Sequence, residues 1–149
     1  MNQLYPYAHI VHLFCAIAFV GGVIFEALIL GVLHGKQVSR ETRQEADKAI
    51  ARRAVRVMPW IVLGVFLSGL VMLHRYIDVL KAPFTNGFSM QLTLKLLLAL
   101  GILGHFGVAI YKMKTQTLTV AWSKYIHRAV LLQMLLIVFL AKSMFYFAF

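Results

Sequence analysis

The sequence predicts an all-α integral membrane protein, an antiparallel four-helix bundle with both termini outside. Three observations carry that prediction. Of 149 residues, 61% are hydrophobic and only 13% charged, against roughly 25% charged in an average soluble domain. Mean hydropathy is +0.80, more apolar surface than an aqueous globule of this length can hide and the opposite of a disordered composition. Finally, most of the 15 basic residues, set against 5 acidic ones, fall in alternate connections between apolar stretches.

The stretches follow in order. Residues 7–33 form the first span and read as an uncleaved one, since they lack a basic leader and a small-residue cleavage pattern. The connection 34–56 carries Lys36, Arg40, Arg43, Lys48, Arg52, Arg53 and Arg56. Glu41, Glu45 and Asp47 alternate with these cations, and Thr42 with Glu45 reads as a capping box. A helix there is expected to continue into the second span, 57–73, with Pro59 bending it just inside the membrane.

Gly87, after Pro83 and Asn86, marks the turn before the third span, 88–111. Lys112, Lys114, Lys124 and Arg128 flank the connection to the fourth span, 126–147. The middle connection holds only Arg75 and Lys81, opposed by Asp78. The positive-inside rule therefore puts the first and third connections in the cytoplasm. The whole chain, 1–149, reads as one membrane domain whose main partner is the lipid bilayer. A single cysteine, Cys15, leaves no internal disulfide. The basic loop has no interleaved aromatic residues, which argues against a nucleic-acid surface.

Ionisable groups at membrane depth are costly and mark function by default. His9, His12 and Glu26 share one stripe of the first span, expected to face the bundle interior. Arg56 and His74 lie eighteen residues, or five turns, apart and project from one face. Lys95 and His105 lie in the third span; His127, Arg128 and Lys142 belong to the fourth. With alternating helix directions, His9, His12, His74, Lys95 and Lys142 fall in the outer half. Glu26, His34, Arg56, His105, His127 and Arg128 fall in the inner half. Histidine-bearing layers in an apolar bundle point to a metal centre, haem iron held by imidazoles. Small residues such as Ala16, Gly21, Gly22, Gly64 and Gly69 are expected to leave room for a flat cofactor.

These residues resemble the HemJ-type bacterial protoporphyrinogen oxidases and their CopD-like membrane relatives. His12 ahead of Phe19, Val20, Gly21 and Gly22 is similar to that family's first span. Arg53 before Pro59 resembles the start of its second. Lys95-Leu96-Leu97-Leu98 followed by His105 looks like its third, and Arg128 like the opening of its fourth. The chain departs from the family in having Glu26 near the place of a first-span arginine, and Ala-Val-Leu-Leu-Gln after Arg128. The resemblance implies a multi-pass protein of the bacterial inner membrane, with both termini periplasmic and haem b within the bundle. His12 would be an axial ligand, with His74 or His105 as the second, and His9 a further candidate metal ligand. Lys95 and Arg56 would orient propionates or substrate carboxylates. The implied activity is electron transfer or tetrapyrrole oxidation, with a redox partner or quinone receiving electrons; apart from the resemblance, a homo-oligomer stays open as the assembly. The alternatives are a copper or haem transport protein of the CopD-like type, and a non-catalytic membrane subunit.

Overall fold

The computed structural model describes residues 3–35 and 37–146, with backbone alone at His34, Val120 and Met144. Lys36, the His34 side chain and the end of the fourth expected span, Phe147, lie outside the described residues. Every regular element among the described residues is helical. In chain order they are α1 (Leu4–Leu28), a 3-10 turn (Leu30–His34), α2 (Arg40–Leu73), a second 3-10 turn (His74–Tyr76), the single-turn α3 (Ile77–Leu80), α4 (Gly87–Lys114) and α5 (Val120–Tyr146). Four helical stretches are long and apolar enough to cross a membrane: Leu4–Leu33, Arg40–Leu80, Gly87–Lys114 and Ala121–Ser143. Each overlaps one of the four stretches read from the sequence, the second extending well beyond 57–73 at both ends.

The expected helical connection is present, and α2 runs unbroken through Pro59 for 34 residues. At 1.5 Å per residue it is about 51 Å long, well beyond a hydrocarbon core of about 30 Å. Its start differs from the expected capping box. Ser39, in extended conformation, is the N-cap, and its side chain accepts a bond from the Thr42 amide at 3.2 Å. The helix thus begins before Thr42, so Thr42 stands in its first turn. Arg43 reaches back from that turn, its Nε donating to Leu33 O at 2.9 Å and a terminal nitrogen to Gly35 O at 3.1 Å. A guanidinium suits carbonyls left open at a helix end.

The chain divides into two compact units, Met1–Arg75 and Tyr76–Phe149. In the first, α1 and α2 form an antiparallel hairpin. Tyr5 stacks under the Arg75 guanidinium at 5.0 Å, His12 bonds Val65 and Ser68, Cys15 faces Gly64, and Gly22 faces Met58. Numbers rise on α1 as they fall on α2, so one register holds along the whole pair. Ala8, Val23, Val62 and Ser68 are buried.

The second unit is a hairpin of α4 and α5. Asn86 caps α4 through a reciprocal box with Ser89, which confirms the turn expected at Gly87. Phe88 meets Phe145 edge-on, Ser143 Oγ donates to Gln91 Oε1 at 2.7 Å, Gly101 faces Gln133, and the Lys112 ammonium sits 4.5 Å from the Trp122 ring centre. Leu92, Ile102, Ile126, Val130, Met134 and Leu140 are buried. Elsewhere on the four long helices large apolar side chains face outward, Tyr7, Phe14, Trp60 and Phe139 among them. An outward surface of that kind suits lipid as solvent.

Candidate functional site

His12 is half-buried in the seam between α1 and α2. Its Nδ1 lies 2.9 Å from Val65 O and 3.2 Å from Ser68 Oγ. A carbonyl oxygen can only accept, so Nδ1 carries the proton. In a neutral ring with that proton on Nδ1, Nε2 is the nitrogen with the lone pair. Ser68 is itself oriented, its hydroxyl donating to Gly64 O at 2.5 Å with Val65 O at 3.1 Å.

Glycines make this approach possible. A Cβ on Gly69 would stand 3.3 Å from His12 Cε1, and one on Gly64 only 2.7 Å from Cys15 Sγ. Gly22 is similarly closed by Met58, whereas Gly21 has nothing within 4 Å. The room expected beside Gly22, Gly64 and Gly69 is therefore filled by neighbouring side chains, and these glycines serve close helix packing. Open space lies elsewhere on the hairpin. An apolar groove of about 340 Å³ runs between Leu4, Tyr7, Ala8 and Val11 on α1 and Gly64, Leu67, Ser68 and Val71 on α2. Ser68 thus belongs both to this groove and to the His12 contact.

The other expected site residues of the first hairpin are spread along it. His9 and His74 lie at the same end as His12, but both are exposed, and His9 rests against Tyr5 at 6.1 Å between ring centres. The helical turn that puts His12 into the seam leaves His9 outside it, so the expected inward stripe does not carry both. Arg56 is exposed near the opposite end, beside exposed Trp60. It is twelve residues from Ser68, about 18 Å along the axis.

In the second hairpin, His105 is half-buried, its Nδ1 donating to Gly101 O at 2.7 Å and its ring 6.0 Å from Tyr125. His127 makes the same kind of bond to Ser123 O at 2.8 Å. Lys95 is half-buried ten residues before His105, about 15 Å along α4. The expected site residues thus form two sets, one in each hairpin. Among the described residues no three His, Cys, Asp or Glu side chains group as a bound metal ion would need.

Uncharged polar residues complete the picture, and an account based on ionisable groups misses them. Ser68, Ser89 and Ser143 are buried, and Gln133 Oε1 is buried with no hydrogen-bond partner among the described residues. The signal that could have found Ser68 is its four-residue spacing from Gly64, a small-residue pair on one face of a spanning helix. Compared with known proteins, the chain matches no family model, no curated protein and no solved structure.

Proposed function

We propose that this is a haem b-binding redox protein of the bacterial inner membrane, its four spans forming an antiparallel bundle with periplasmic termini. The observation that carries the reading is the His12 imidazole, bonded through Nδ1 to a second helix in apolar surroundings. Metal-ligating histidines almost always donate their other ring N–H to a carbonyl, carboxylate or water, which fixes the tautomer. The residues present fit haem on two counts. A neutral His12 protonated on Nδ1 would present Nε2 as its donor nitrogen, and the groove that shares Ser68 with it offers an apolar wall with no acidic side chain.

In this reading His12 would hold the iron, and His74, exposed at the same end of the first hairpin, would be the second ligand. Of the two cations read from the sequence as propionate partners, Arg56 lies about 18 Å along α2 from Ser68 and Lys95 belongs to the other hairpin, so neither is assigned to a haem held by His12. Bound haem supplies one-electron chemistry, tuned by ligand identity and hydrogen bonding. Oxidation of a tetrapyrrole, as the resemblance to HemJ-type oxidases implies, would hand electrons to a quinone or another carrier.

The test is an absorption spectrum of the full-length protein purified from haem-replete cells. A Soret band that shifts on dithionite reduction is expected, with His12→Ala retaining less than about a tenth of the haem, since losing a ligand costs at least the roughly tenfold that changes around a ligand cost. A colourless wild-type protein would overturn the proposal.

A further inference from the structure

We propose that Ser68 is a positioning residue for His12, aiming the imidazole and strengthening its donor power from the facing helix. The proposal rests on the reading of His12 as a metal-binding imidazole and adds to it the group that sets the ring. Among the described residues three histidines donate Nδ1–H to a backbone carbonyl, and they do so differently. His105 and His127 bond the carbonyl four residues earlier on their own helices, an acceptor that moves with the ring and fixes nothing beyond it. His12 bonds Val65 O and Ser68 Oγ on a different helix, so its direction is referred to α2.

The direction of each bond follows from counting protons. The Ser68 hydroxyl has one, and its shortest contact is to Gly64 O. With that proton committed, the oxygen turns its lone pairs towards His12 and accepts. Val65 O accepts as well, so one Nδ1 proton is shared between two acceptors. Both acceptors polarise the N–H bond and push electron density into the ring, which makes the far nitrogen a stronger donor to a cation. Gly69 suits the geometry, since a β-carbon there would stand 3.3 Å from Cε1, a tight approach, and in ordinary contact with Nδ1. Serine and glycine in succession therefore supply the acceptor and the clearance for one ring.

The experiment compares the full-length wild type with Ser68→Ala and Ser68→Thr in detergent, each checked for helical content. Haem titration and the reduction potential of the bound haem are measured, together with exchange of the His12 Nδ1 proton by NMR on haem-free protein. Ser68→Ala is expected to weaken ferric haem binding about tenfold. If ferrous binding is unchanged, that factor raises the potential by about 59 mV. Ser68→Thr, which restores a hydroxyl, should recover both. In haem-free protein the Nδ1 proton should exchange about threefold faster in Ser68→Ala, the factor expected for an average interhelical hydrogen bond in a membrane. Haem affinity, potential and exchange all unchanged in a folded Ser68→Ala protein would overturn the proposal. If the wild type binds no haem, the functional reading fails separately, and the exchange rate alone decides the role of Ser68.

Discussion

At the scale of single residues, what a glycine faces decides what it is for. Gly64 and Gly21 have the same side chain and opposite surroundings, one against Cys15 Sγ and the other open. Gly64→Ala would drive a methyl group into a sulfur 2.7 Å away, and relieving such overpacking costs about 1–3 kcal/mol. Gly21→Ala meets nothing and should be neutral or mildly stabilising, because alanine is the better helix former. Unfolding of the two variants in detergent should show a clear loss for the first alone; equal behaviour would contradict the seam. This difference is not legible in the sequence, because it depends on the register between helices. Ser68, Gln91, Gln133 and Ser143 are hidden for another reason. Desolvation marks His12 and Lys95 as unusual at membrane depth, but uncharged polar groups are ordinary there. Interhelical hydrogen bonds in membranes average only about 0.6 kcal/mol. The Ser143–Gln91 bond is therefore a modest contribution to a hairpin held mainly by packing.

At the scale of elements, the end of α4 is informative. Thr117 N bonds Lys112 O at 2.9 Å and Gln116 N bonds Met113 O at 3.3 Å, the two bonds of a Schellman stop. The residue in the left-handed position is Gln116, with φ of 55°, where glycine is usual. An L-residue in that conformation costs roughly 1–2 kcal/mol. The Gln116 side chain offsets part of this by donating to Met113 O at 3.2 Å. Gln116→Gly should therefore stabilise the second hairpin by up to about 1 kcal/mol, read as a higher melting temperature; a lower one would mean that the side-chain bond outweighs the backbone strain. The existence of the four long helices was legible because runs of about twenty apolar residues have few other uses. Their limits were less so. The sequence reading put a capping box at Thr42 and Glu45, whereas Ser39, three residues earlier, is the N-cap.

At the scale of the whole molecule, the charge distribution makes the orientation testable. In a Cys15→Ser background, a cysteine placed at Phe84, 77% exposed between α3 and α4, should react with an impermeant maleimide in intact cells. One placed at Gln44, exposed in the first turns of α2, should react only after the membrane is opened. The reverse pattern would invert the topology and move His12 to the cytoplasmic side. The sequence indicated four segments long and apolar enough to cross a membrane, since that follows from composition. It carried no record of pairing, which became legible only through contacts such as Tyr5 with Arg75 and Phe88 with Phe145. That pairing bears on how the chain is made. His12 finds its acceptors on α2, and Ser143 its acceptor on α4, so each polar match joins consecutive helices. During synthesis the ribosome delivers those partners one after the other, and each hairpin can satisfy these groups before the next enters lipid.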